Sequence, residues 1–291
     1  DDEDIKVFAI TSQPDEIDVE PEIPKHVEEL YNRSATEMDQ QQKEKLRQLL
    51  TQYSDIFSTG AGDIGRTDLV EHIVDTGNAV PIRQTIRRLP RSQQPELEKQ
   101  IKGYADKGII SPCDSPWASN IVMVRKKNGE MRVCVDYRGL NAVTRNISAY
   151  HLPRIDDTLD TLQGAKYFCA LDLIQGYHQV KMSEDSRLKT AFITPRMVPS
   201  QWCFNYLPFI LSGAPGTFQL LMDKVIKGLE FKIALVYLDD IIVFGKSIKE
   251  CMERLEMVFQ RLRSANLKLK PSKCLLFQTE ILYLGDRKSV V

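Results

Sequence analysis

Two adjacent carboxylates, Asp239 and Asp240, sit in the middle of the otherwise apolar run Ala234-Leu235-Val236-Tyr237-Leu238-Asp239-Asp240-Ile241-Ile242-Val243-Phe244-Gly245. The run has β character on both sides, so its natural form is a hairpin whose turn carries both acids. Asp is a good turn residue, and a bare Asp-Asp would need no further reason. Here both flanks are of buried type, and like charges held together near a core are costly unless a cation offsets them. A third acid, Asp172, lies inside Tyr167-Phe168-Cys169-Ala170-Leu171-Asp172-Leu173, a second apolar strand. Placing that strand beside the hairpin brings three carboxylates together. Oxygen-only donors select a hard ion such as Mg²⁺ or Mn²⁺. Three of them are the ligand set of a two-metal site, which activates an attacking oxygen and stabilises a leaving one. Spacing alone leaves other oxygen-ligand metal sites open beside phosphoryl transfer.

The elements that must position these acids can be read from periodicity. From Thr36, a candidate N-cap, Leu46, Leu49, Leu50 and Tyr53 recur at helical spacing. A strand is predicted at Leu69 to Val74, and a helix after Ser92 with Leu97, Ile101 and Tyr104 or Ala105 on one face, closed by Gly108. Strands at Ser119 to Val124 and Met131 to Asp136 flank Asn128-Gly129, a strong hairpin signal. A helix beginning at Pro215 carries Phe218, Leu221, Met222 and Val225 inward. Ser247 and Glu250 form a capping box before Ile248, Met252, Leu255, Phe259 and Leu262. Strands and helices mix without βαβ alternation, which predicts an α+β fold with an antiparallel sheet. There is no internal repeat.

Composition narrows the function classes. The chain has 291 residues, 42% of them hydrophobic and 27% charged, enough to bury a sizeable core. No run is long and apolar enough to span a bilayer, and Asp1-Asp2-Glu3-Asp4 lacks the plan of a secretory signal, so no membrane partner is expected. Six cysteines without a C-x-x-C pair argue against a zinc site or a disulfide framework. Residues 1–30 carry 11 acidic and 2 basic side chains, which leaves +8 on residues 31–291 against a net charge of −1. A basic body suits a polyanionic partner, although dispersed Lys and Arg on solvated faces would produce the same bias. The acidic, proline-interrupted start, residues 1–35, reads as a linker, and residues 36–83 as an extension of helix plus strand.

Tyr237-Leu238-Asp239-Asp240 resembles the Y-x-D-D signature of reverse transcriptases, and Leu171-Asp172-Leu173 with Gly176-Tyr177-His178-Gln179 resembles their other metal-binding motif. The gypsy-type LTR-retrotransposon branch is resembled by Ser115-Pro116-Trp117-Ala118-Ser119, Val135-Asp136-Tyr137-Arg138-Gly139-Leu140-Asn141, Leu152-Pro153-Arg154-Ile155-Asp156, Leu207-Pro208-Phe209 and Ala214-Pro215-Gly216-Thr217-Phe218-Gln219. The likeness runs from about Leu46 to Gly285. It implies a right-hand polymerase fold with an antiparallel palm sheet backed by helices and the thumb largely absent. Fingers would lie at 84–146 and 180–213, palm at 147–179 and 214–286, and an atypical end at 287–291. It implies RNA-directed DNA synthesis within a Pol polyprotein, with RNA or DNA template, primer and dNTPs as partners. Protease, RNase H and integrase regions are expected elsewhere in such a polyprotein, and the product is expected in a cytoplasmic particle.

The resemblance also implies roles. Asp172 and Asp239 would be the main ligands of two Mg²⁺ ions, Asp240 a supporting carboxylate, and the Leu173 carbonyl a further donor. Lys126 and Arg132 match the triphosphate-binding cations. Tyr177 matches the aromatic that excludes a ribose 2′-hydroxyl. Phe209 faces template and nucleotide, and Tyr283-Leu284-Gly285 resembles the segment that grips the primer. Four places depart from the pattern. Ile210 replaces a glycine and is expected to crowd the nucleotide pocket. Residues 196–200 replace a short turn, Asn120 replaces a proline, and Asp286 a histidine. These departures and the early end keep a second reading open, a catalytically silent remnant that folds and binds nucleic acid. A third, an aspartic protease, rests on Asp75-Thr76-Gly77 alone, and a turn after a strand is the better account.

Overall fold

A computed structural model of the chain describes residues 22–125, 129–145, 160–283 and 286–289. In chain order its elements are α1 (Lys25–Ser34), α2 (Gln40–Gln52), β1 (Thr67–His72), α3 (Gln94–Asp106), β2 (Ile110–Pro112), β3 (Ser119–Arg125), β4 (Met131–Val135) and α4 (Arg138–Val143). There follow β5 (Tyr167–Asp172), β6 (Val180–Met182), α5 (Glu184–Arg187), β7 (Phe192–Ile193), β8 (Gln201–Phe204), α6 (Ala214–Val225), β9 (Ala234–Tyr237) and β10 (Asp240–Gly245). The last are α7 (Ile248–Ser264), β11 (Leu275–Gln278), β12 (Glu280–Tyr283) and β13 (Asp286–Ser289).

Two sheets carry the architecture. The first, in the order β11-β5-β10-β9, is antiparallel throughout, as the sequence predicts for the palm. Alternate residues of its strands point to opposite faces. Cys169, Leu171, Val236, Ile241 and Val243 enter the main core with Phe218 and Met222 of α6 and Leu255 and Phe259 of α7. Phe168, Leu235, Ile242 and Phe244 form a second cluster with Ile281. Cover on both faces explains why these strands read as unbroken apolar runs instead of alternating. The second sheet, β2-β8-β7-β3-β4, contains the β3–β4 hairpin and is backed by Leu97 and Ile101 of α3. It is not purely antiparallel: β3 pairs with β7 in parallel, as does β1 with β6 in a separate two-stranded sheet.

Several expectations need correcting. The stretch assigned to a linker contains α1, whose Val27 and Leu30 are buried in the main core, so the N-terminal extension begins before residue 36. Helix α2 starts at Gln40, not near Thr36. Asp39 accepts from the Gln42 amide (2.8 Å) while Gln42 Oε1 accepts from the Asp39 amide (3.3 Å), a complete capping box. At α7 only half of the predicted box forms. Ser247 Oγ accepts from the Glu250 amide at 3.2 Å, but Glu250 Oε2 takes the Lys246 amide at 2.7 Å. Asp75-Thr76-Gly77 is a turn, with Asp75 Oδ1 accepting from the Gly77 amide (2.8 Å) at a glycine φ of +50°. The six cysteines are free thiols. No helix among the described residues is long and apolar enough to cross a membrane.

Candidate active site

The acids meet at one end of the palm sheet. Strand β5 pairs antiparallel with β10 in a register that sets Asp172 directly opposite Asp240. The β9–β10 turn places Asp239 next to them, with Leu238 in the left-handed region at φ 54°. A branched residue there is held by a specific bond: fully buried Gln219 of α6 accepts from the Leu238 amide through Oε1 at 3.0 Å. Its Nε2 donates to Asp223 Oδ1 at 2.9 Å. Gly176 fits closely beside the turn: a Cβ there would lie 3.0 Å from Phe218 Cζ and 3.3 Å from Asp239 Oδ1, so both side chains would have to give way by a few tenths of an ångström.

The electrostatics are those of charge only partly compensated. Asp239 is half-buried, and its buried Oδ1 has no hydrogen-bond partner among the described residues. Burial, with the charges of Asp172 and Asp240, pushes its carboxyl up to about 6, while Lys273 pulls the other way. Burial and the Asp172 charge also raise Asp240. Lys273 Nζ donates to Asp172 Oδ2 at 2.8 Å. Among the described residues no three His, Cys, Asp or Glu side chains are gathered into a metal cage. The predicted convergence is therefore of strand ends and charges, and it stops short of a closed ligand set. Three carboxylates repel one another, and one of them is occupied by a lysine.

Other predicted site residues surround this point. Two cavities, of about 940 and 870 Å³, flank the acids and share Arg132, Gln175, Gly176 and Asp239 in their walls. The first is lined by Tyr177 and Phe209. The Tyr177 ring packs on Phe218 with centroids 5.0 Å apart, and burial with the Asp239 charge pushes its hydroxyl up to about 12. The Arg132 guanidinium lies 3.9 Å from the Phe209 ring centroid. Buried Leu173 lines the second cavity with Asp172. Tyr283 ends β12, which pairs with β13 outside the palm sheet. Lys126, Leu284, Gly285 and Leu152–Asp156 lie outside the described residues. Ile210 is not in the wall of the larger cavity. It packs against the main core beside Phe209, in the wall of a small neighbouring cavity, and its carbonyl accepts from Asn141 Nδ2 at 3.2 Å.

Residues 124–287 match the family model described as reverse transcriptase (RNA-dependent DNA polymerase). The chain belongs to the reverse transcriptase family. This family uses divalent metal ions, and the chemistry of the side chains fits one: oxygen donors only, one of them a buried carboxylate oxygen with no partner among the described residues. Among the chain's relatives, the retrovirus-related Pol polyprotein from transposon 412 of Drosophila melanogaster is 35% identical over 251 residues, 84% of this chain and 20% of that protein. That from transposon 297 of the same species is 34% identical over 253 residues, 85% of this chain and 24% of that protein. The reverse transcriptase region described here thus spans about a fifth to a quarter of their length. Two solved structures share the fold. Native prototype foamy virus protease-reverse transcriptase superposes with a TM-score of 0.77 at 23% identity, covering 90% of this chain and 35% of that one. The foamy viral protease-reverse transcriptase with an RNA/DNA hybrid gives 0.80 at 23% identity, covering 90% and 34%.

Sequence reasoning missed three residues at the reverse transcriptase site. Gln219 is a buried amide on an otherwise apolar helix face, a signal that was available. Lys273 lies 101 residues from Asp172, and nothing in Lys268-Leu269-Lys270-Pro271-Ser272-Lys273 announces their pairing. Arg33, which donates to the Pro271 carbonyl in the turn that carries Lys273, was hidden in the stretch assigned to a linker.

Proposed function

We propose that this chain is the polymerase portion of a retrotransposon Pol polyprotein and extends a primer 3′-hydroxyl with dNTPs on an RNA or DNA template. The observation that carries the reading is the only partly compensated Asp239 carboxylate between Asp172 and Asp240 at the open end of an apolar sheet. Asp172 and Asp239 would hold two Mg²⁺ ions, or Mn²⁺ in their place, with support from Asp240 and the Leu173 carbonyl. Such ions supply the charge that acidifies the attacking hydroxyl and neutralises the triphosphate.

The chain's own groups do the positioning. Gln219 fixes the turn so that Asp239 stays presented without a partner of its own. Arg132, its guanidinium plane set by Phe209, meets the triphosphate with Lys126. Tyr177, backed by Phe218, is a stiff wall where a ribose would carry its 2′-hydroxyl, which selects deoxyribonucleotides. Phe209 packs toward template and nucleotide, and Tyr283, Leu284 and Gly285 bear on the primer strand. Work inside a cytoplasmic particle, beside the protease, RNase H and integrase of the same polyprotein, is part of the proposal.

Primer extension on poly(rA) with oligo(dT), in Mg²⁺ and in Mn²⁺, tests the reading. Incorporation is expected, and Asp239→Asn should abolish it. No incorporation by the wild type or by Ile210→Gly would favour the silent remnant.

A further inference from the structure

The turn that carries Lys273 is held from a distant part of the chain. Arg33, on α1, donates to the carbonyls of Pro271 (2.9 Å), Cys274 (3.3 Å) and Ser272 (3.4 Å). A tight turn leaves such carbonyls without partners, and a planar fork of five donors is suited to gathering several at once. On the other side the turn is tied to the acid-bearing strand, since the Lys270 amide donates to the Asp172 carbonyl at 2.8 Å. Between these two anchors Lys273 reaches the Asp172 carboxylate. Helix α1 precedes the residues matched by the family model by some ninety positions, yet its Lys25 and His26 line the same cavity as Asp172, Asp239 and Lys273.

We propose that Arg33 is a positioning residue of the catalytic centre: by fixing the Pro271–Cys274 turn it sets the Lys273 ammonium on Asp172 as an internal counter-cation that a divalent ion must displace. This rests on the metal-binding reading of Asp172 and Asp239. The N-terminal helix is then a working part of the site, lowering the repulsion among the acids in the free protein and raising the threshold for metal entry.

Mn²⁺ binding to the whole chain without nucleic acid, followed by electron paramagnetic resonance of the free ion, is the test. Lys273→Met should tighten binding about three- to fivefold, the size expected for a part-exposed ion pair. Arg33→Ala should give part of that gain, Arg33→Lys less, and Arg33→Ala should add nothing in the Lys273→Met background. A purely structural Arg33 would lower the melting temperature equally in both Lys273 backgrounds and leave Mn²⁺ affinity unmoved, which overturns the proposal. So does an unchanged affinity in Lys273→Met. Asp172→Asn separates the two levels: if Mn²⁺ binding is insensitive to it, the metal reading itself fails and takes this one with it.

Discussion

Two aspartates at strand ends of this chain meet opposite fates. Asp136, just beyond β4, is 9% exposed and fully matched. Arg138 donates to both of its oxygens, Nε at 2.8 Å and Nη2 at 2.7 Å, and Arg87 Nη1 stands 3.2 Å away. The bonds from Arg138, chiefly, hold its carboxyl down at about 2 despite burial. Asp239, at the β9–β10 turn, has acids for neighbours, an oxygen without a partner among the described residues, and a carboxyl raised to about 6. The fingers neutralise their buried acid with their own residues. The palm leaves its acid without a direct partner among the described residues, which costs stability in the free protein at a pH where the carboxyl is ionised.

The largest effect should therefore separate the two acids by function. Asp239→Asn removes the carboxylate proposed to hold the metal ions and should slow primer extension by about 10³-fold or more, whereas Asp136→Asn should leave single-turnover chemistry within about tenfold. Equal losses in both, measured by single-turnover primer extension, would erase the distinction.

Stability should move the other way, and more modestly. In metal-free buffer at pH 8, Asp136→Ala should cost about 1–2 kcal/mol, a figure held down because both guanidiniums sit largely in solvent. Asp239→Asn should stabilise by about 1–2 kcal/mol by removing a carboxylate ionised against its surroundings. The acid limb sharpens the contrast. Asp136 is depressed below the ordinary carboxylate value, so its contribution is complete above about pH 4 and is lost as pH falls through about 2. Asp239 is raised, so the fold binds its proton more tightly than the unfolded chain, and stability drops as pH rises from about 4 through 6. Urea melts in EDTA across pH 2–8 should show the first slope vanish in Asp136→Ala and the second in Asp239→Asn.

What the sequence disclosed follows from the range of the interactions involved. The palm strands were legible because acids inside apolar β runs have no local excuse, and α6 and α7 because their apolar stripes repeat at helical spacing over three turns or more. Helix α1 was not, since an acidic, proline-bearing context outweighed two buried residues, Val27 and Leu30. The parallel pairing of β3 with β7 also left no trace, because strands so short carry no record of direction. At the site, the three acids could be picked out from residue identity and their apolar flanks. Their compensation could not, because Lys273 and Arg33 act across tertiary contacts.

The smallest effect probes how the fingers build their neutral pair. Asn120 is 4% exposed. It is satisfied on every side: Nδ2 donates to the Thr85 carbonyl (2.8 Å) and Gln84 Oε1 (3.1 Å), the amide donates to Gln84 Oε1 (3.0 Å), and Oδ1 accepts from the Arg87 amide (3.0 Å). It thus clamps residues 84–87 and delivers Arg87 to Asp136. Asn120→Ala should cost about 1 kcal/mol by stripping the Arg87 amide and the Thr85 carbonyl of a partner. Most of that is local, but a coupling of about 0.5 kcal/mol with Arg87→Ala should appear in a double-mutant cycle, because both act on one leg of the same carboxylate. Arg138 keeps the other leg, so Asp136 should stay ionised down to low pH in Asn120→Ala. No coupling is expected between Asn120→Ala and Asp239→Asn. A coupling there, read from urea melts, would mean that the closed and the open aspartate answer to one network and not two.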